Sequence, residues 1–147
     1  MDIENEDEKI KQAMLDLLLE KTQGHFSKKV IECGTRPNRF GEIPKPDGHA
    51  RVSSDCGDTI EMFLRMHGGR IEDVRFRSEG CMTTVAAAQA AAEMAAGKTV
   101  QECLGINQST ILRYLGGLPG GNEHCASLAS RALHRALRDY AVHRKGP

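Results

Sequence analysis

Three cysteines, an aspartate and a histidine stand out because theirs are the side chains that hold soft metals. Cys56 and Asp58 flank Gly57, Cys81 follows Gly80, and Cys125 follows His124. The cysteines are separated by 25 and 44 residues, far outside Cys-x-x-Cys finger spacing, so a shared site must be assembled by the tertiary fold. Three thiolates from three segments supply three of the four positions on a two-iron cluster. The fourth falls to Asp58, whose hard carboxylate binds iron less firmly than sulfur does, or to the imidazole of His124. A mixed site of this kind favours release, whereas storage would be expected to use four thiolates. Cys81 and Cys125 both stand at expected helix starts, where the dipole and unpaired N–H groups lower a thiol pKa. Gly57 and Gly80 let the backbone pass close to a metal, with positive φ open to them.

Other residues of the same types read as structural. Cys33 and Cys103 are expected to be small buried hydrophobes, and His25, His49, His67, His134 and His143 to be surface residues. The glycine-rich stretch 116–121 lacks the Lys-Ser/Thr of a phosphate loop.

The elements that must position the site follow from periodicity. Residues 9–31 read as a helix, with Ile10, Met14, Leu17, Leu18 and, after a polar break, Val30 and Ile31 near helical spacing, and with Gly24 marking an interruption. Residues 33–48 carry Gly34, Pro37, Gly41, Pro44, Pro46 and Gly48 and read as a loop. A short strand over 49–54, the alternation Ile60, Met62, Leu64, Met66, the turn Gly68-Gly69 and a strand with Ile71, Val74 and Phe76 predict an antiparallel meander. Then the period changes. Thr83, Thr84 and the alanine-rich run to Ala96 predict a slender helix closed by Gly97, able to lie very close to the sheet. Short helices over 99–104, where Thr99 and Glu102 suggest a capping box, and 109–115 come next. A long one from Asn122 to His143 buries Leu128, Ala132, Leu133, Ala136, Leu137 and Tyr140 on one face. The expected class is α+β: a three-stranded antiparallel sheet with helices on one face.

Composition limits the function classes. At 147 residues the chain has the size of one domain. Lys plus Arg and Asp plus Glu each number 20, so no charge excess draws nucleic acid or an anionic membrane. No apolar stretch reaches the roughly 18 residues of a membrane span. The acidic start, Met1 to Glu8, is the opposite of a signal peptide. The default expectation is the cytoplasm. There five cysteines, an odd count, stay reduced and available as ligands.

The pattern Cys56-Gly57-Asp58, two strands, Gly80-Cys81 at a helix start and His124-Cys125-Ala126 at the last helix resembles the NifU-like scaffold family of the IscU type. Gly69 to Asp73, Ala96 to Thr99 and Ala136 to Tyr140 extend the likeness, which runs from about Phe26 to about Tyr140. The resemblance implies one scaffold domain over 1–147, frayed over 1–8, with the sheet over 49–78 and helices over 81–143. It implies a carrier rather than an enzyme: a labile [2Fe–2S] cluster is built on Cys56, Asp58, Cys81, His124 and Cys125 and passed to apo-proteins. It also implies a cysteine desulfurase partner whose persulfide sulfur Cys125 accepts, with a ferredoxin as candidate electron donor. Homo-oligomerisation stays open. So do two other readings of the residues: a structural or regulatory zinc domain on Cys56, Asp58, Cys81 and Cys125, and a metal-free adaptor. The chain departs from the family at Leu118-Pro119-Gly120-Gly121-Asn122, where the commonest members carry a Leu-Pro-Pro-Val-Lys chaperone motif.

Overall fold

A computed structural model describes residues 7–14 and 26–144. Residues 7–14 are helical (α1). Then come α2 (Lys28–Thr35), β1 (Gly48–Ser53), β2 (Thr59–His67), β3 (Arg70–Glu79), α3 (Met82–Ala95), α4 (Val100–Cys103), α5 (Gln108–Leu115) and α6 (Glu123–His143). The strands form one antiparallel meander in the order β1-β2-β3.

The core lies between one face of this sheet and two helices. Val52, Ile60, Met62, Leu64, Val74 and Phe76 are buried there against α3 and α6. The alanines of α3 are fully buried, since methyl side chains let that helix approach closely. Ile71 and Val74 are three apart and would fall on opposite faces of a regular strand. A register shift at Arg65/Met66, which pairs Arg65 with Asp73 and Met66 with Ile71, leaves Glu72 outside the ladder and returns Ile71 to the core. Both sheet edges are guarded. The loop after α2 lies along β3, with the Gly41 N–H on the Phe76 carbonyl and the Phe76 N–H on the Arg39 carbonyl. On the other edge Gly48 sits against α6, where a Cβ would come within 2.4 Å of the Ala136 carbonyl oxygen.

The single helix expected over 9–31 is not what forms. Ser27 caps a separate α2 by accepting from the Val30 N–H, so the chain breaks there, and the helix continues through Cys33 to Thr35, which the sequence assigns to the loop. Residues 7 and 8, expected to fray, are already helical. Residues 1–6, the run through Leu17 and Leu18, and His25 lie outside the described residues. The Thr99/Glu102 capping box forms, as does an Asn107/Thr110 box ahead of α5. Glu93 ties α2, α3 and α5 together, bonding Lys29 at 3.2 Å, Gln89 at 2.7 Å and the Tyr114 hydroxyl. Among the described residues, no helix is long and apolar enough to cross a membrane.

Candidate metal centre

Three segments meet at one end of the sheet. The first is the β1–β2 turn. The Gly57 N–H bonds the Ser54 carbonyl and the Ser54 N–H bonds the Asp58 carbonyl, closing a five-residue hairpin tip. Gly57 adopts a left-handed φ of 90°, which the turn requires and the sequence anticipates. Ser54 Oγ accepts the Asp58 N–H at 3.2 Å, fixing the aspartate on the core-side end of β2.

The second segment is the β3–α3 junction. Cys81 is the N-cap of α3, as its helix-start context predicts. Gly80 serves by absence: a Cβ there would lie 2.9 Å from both Asp58 Oδ1 and Thr84 Oγ1, so a larger residue would force these side chains to shift. Its φ is not in the left-handed region; the requirement is space.

The third is the first turn of α6, where His124 and Cys125 follow the N-cap Asn122. His124 Nδ1 lies 2.9 Å from the Gly121 carbonyl, an obligate acceptor, so Nδ1 donates. That leaves Nε2 facing inward, 3.6 Å from Asp58 Oδ2 and 3.8 Å from Cys125 Sγ. Asp58, His124 and Cys125 thereby offer an oxygen, a nitrogen and a sulfur that all lie within 4.8 Å of one another. Carboxylate, imidazole and thiol side chains gathered in this way could hold a metal ion among them. A tetrahedral ion with bonds of about 2.0–2.3 Å separates its ligand atoms by roughly 3.3–3.8 Å, which the two contacts to His124 match.

Cys81 adjoins this group through two hydroxyls. Thr83 Oγ1 is 2.8 Å from Cys81 Sγ and 3.6 Å from Cys125 Sγ; Thr84 Oγ1 is 3.6 and 3.5 Å from the same two atoms. The two sulfurs are therefore no farther apart than a small cluster spans. Neither Cys81 nor Cys56 belongs to the compact group itself, and Cys56 is exposed on the hairpin tip, two residues from Asp58.

The two helix-start thiols differ, against expectation. Burial pushes the Cys81 thiol up, but hydrogen bonds from the Thr83 and Thr84 hydroxyls, with a weaker pull from their amides, outweigh it and lower the pKa from 9.0 to about 7. Cys125 goes the other way. It is fully buried, and burial raises its pKa; the threonine hydroxyls oppose the rise, while Cys81 and Asp58 reinforce it. A helix start alone does not prepare a thiol that the core encloses.

The remaining cysteines behave as small core residues. Cys33 and Cys103 are buried, and burial lifts their thiols to about 12 and about 11. His49 pairs with Glu61 at 2.5 Å, and His134 bonds the Cys103 carbonyl at 3.2 Å; neither joins the site. Sequence reading missed Thr83 and Thr84 as site residues. The signal available was two β-branched hydroxyl residues in an otherwise alanine-rich helix, immediately after a candidate ligand.

Comparison with known proteins places the chain in a family. The family model for the NifU-like N terminal domain matches residues 25–146. An iron-sulfur cluster assembly scaffold protein IscU of Archaeoglobus fulgidus is 39% identical over 116 residues, covering 78% of this chain and 76% of that one. The IscU scaffold protein of Aquifex aeolicus is 31% identical over 120 residues. Among solved structures, the N-terminal part of a nitrogen-fixing NifU-like protein from Brucella abortus superposes with a TM-score of 0.65 at 21% identity, covering 80% of this chain and 94% of that one. At that identity the structural match speaks for the fold alone.

Proposed function

The chain belongs to the NifU-like N-terminal domain family, and from that premise we propose that it is a scaffold on which an iron–sulfur cluster is assembled and from which the cluster is handed on. The observation that carries this is the convergence of Asp58, His124 and Cys125 within 4.8 Å, with Cys81 joined to them through Thr83 and Thr84. Relatives at 31–39% identity that cover most of the chain are named for this role. The cargo is a [2Fe–2S] cluster, for which Cys56, Cys81 and Cys125 supply thiolates and Asp58 or His124 the weaker fourth ligand. The hairpin tip carries Cys56 at its exposed end, and Cys56 completes the set when the tip folds over bound iron.

Sulfide comes from a cysteine desulfurase as persulfide accepted by Cys125, electrons from a ferredoxin, and the finished cluster goes to apo-proteins in the cytoplasm. The protein is a carrier rather than an enzyme. Cys125 is enclosed here with its thiol held up, so accepting sulfur requires its uncovering. Cys81 is the exposed thiol with the lowered pKa.

One observation favours a second reading for the isolated protein. The separations around His124 Nε2 suit a single tetrahedral ion, so zinc can occupy Asp58, His124 and Cys125 with Cys81 as the fourth ligand. The test is transfer. Protein loaded anaerobically with iron and sulfide is mixed with apo-ferredoxin, and the ferredoxin's visible circular dichroism is followed. Its growth at the expense of the donor signal is expected; a donor that holds only zinc and delivers nothing would contradict the scaffold reading.

A further inference from the structure

We propose that Thr83 and Thr84 are positioning residues whose hydroxyls bridge Cys81 and Cys125, holding the two sulfurs as a preformed edge of the metal site before metal arrives. The inference rests on the metal-site reading above, and it concerns residues outside the ligand set.

Both side chains are costly where they stand. They occupy the first turn of an alanine-rich helix, and threonine is a poorer helix former than alanine. Thr83 is 3% and Thr84 0% exposed, and a hydroxyl buried without a partner is destabilising. Their partners explain the cost. Among the described residues, the side-chain partners of the Thr84 hydroxyl are the two sulfurs, at 3.6 Å for Cys81 and 3.5 Å for Cys125. Thr83 reaches the same pair at 2.8 and 3.6 Å, with Asn122 Oδ1 at 3.4 Å.

Each hydroxyl has one hydrogen to give. Once both sulfurs are ligand thiolates, the two hydroxyls can serve one each: Thr83 donates to Cys81, its nearest acceptor, and Thr84 to Cys125. The arrangement also answers a problem of charge once both thiols are deprotonated as ligands, because Cys125 faces both Asp58 and Cys81, and bare sulfurs so placed repel. Hydrogen bonds to ligand sulfurs orient them and tune what they hold. Gly80 belongs to the device, since its missing Cβ is what gives Thr84 Oγ1 room.

The test is anaerobic titration of the full chain with Co²⁺, read by the sulfur-to-cobalt charge-transfer band, on the parent, on Thr83→Val/Thr84→Val and on Thr83→Ser/Thr84→Ser, with melting curves for each. Valine keeps the shape and removes the hydroxyl; serine keeps the hydroxyl and removes a methyl. The valine variant is expected to bind Co²⁺ about 10- to 100-fold more weakly, and the serine variant to stay near the parent even if it melts lower. Equal affinity in parent and valine variant would overturn the proposal. So would a serine variant as weak as the valine one, because packing rather than the hydroxyls would then be responsible. A parent that binds no Co²⁺ through sulfur would instead sink the metal-site reading itself, and this inference with it.

Discussion

Asp58 Oδ2 lies 3.6 Å from His124 Nε2, although one residue sits on a hairpin tip and the other in the first turn of the last helix. The Gly121 carbonyl accepts a hydrogen bond from His124 Nδ1, so Nε2 is the nitrogen that meets the carboxylate. A carboxylate oxygen and an imidazole nitrogen at this distance, with a buried sulfur 3.8 Å from the same nitrogen, form a group that could hold a metal ion.

Asp58→Ala is expected to make an assembled cluster longer-lived and slower to transfer. The substitution removes the hard, weakly held ligand and frees His124 Nε2 to complete the set. Decay of cluster absorbance, with and without apo-ferredoxin, measures both effects. A variant that loses its cluster faster than the parent would mean that Asp58 retains the cluster, and the account of lability would fail.

Cys81 should be the most readily alkylated thiol of the buried and helix-start set at neutral pH, with a labelling rate that rises through an inflection near its pKa of about 7. Cys33 and Cys103, held at about 12 and about 11, should stay unlabelled in the folded protein. The sign for stability follows. A folded pKa below the ordinary 9.0 contributes stability above that value, and the contribution is lost as pH falls through about 7. Peptide-resolved mass spectrometry of iodoacetamide labelling across pH gives the profile; a Cys81 inflection near 9 would contradict the threonine hydrogen bonds.

Gly80→Ala should destabilise the protein by about 1–3 kcal/mol, as overpacking does. The new Cβ would sit 2.9 Å from Asp58 Oδ1 and from Thr84 Oγ1. Because both atoms belong to the site, metal affinity should fall along with the melting temperature. Gly57→Ala is the contrast: its Cβ meets nothing within 4 Å, but its φ of 90° is strained for alanine, so it should cost stability through the backbone alone.

Much of this was legible in residue types and periods. The meander, the alanine-rich helix behind Cys81 and the last helix behind His124 all fall where alternation and spacing put them, because each depends on a local pattern. What escaped depended on tertiary contact. Ser27 carries a readable N-cap signal, yet the spacing puts the interruption at Gly24 and reads Val30 and Ile31 as the same helix resumed. Ile71 and Val74 have strand composition with the wrong parity, and only pairing with β2 reveals the bulge that reconciles them. Cys125 has the helix-start context of an activated thiol, but burial against the core decides its pKa. Thr83 and Thr84 read as ordinary helix residues until α3 and α6 are brought together.

The most direct test of the central claim is anaerobic reconstitution with iron and sulfide, followed by visible absorption and metal analysis, on the parent, Cys125→Ser and Cys103→Ser. The site assignment predicts about two iron and two sulfide per chain with a cluster chromophore in the parent and in Cys103→Ser, and loss of both in a folded Cys125→Ser. A parent that stays colourless with one zinc per chain, or equal loss in the two variants, would contradict it.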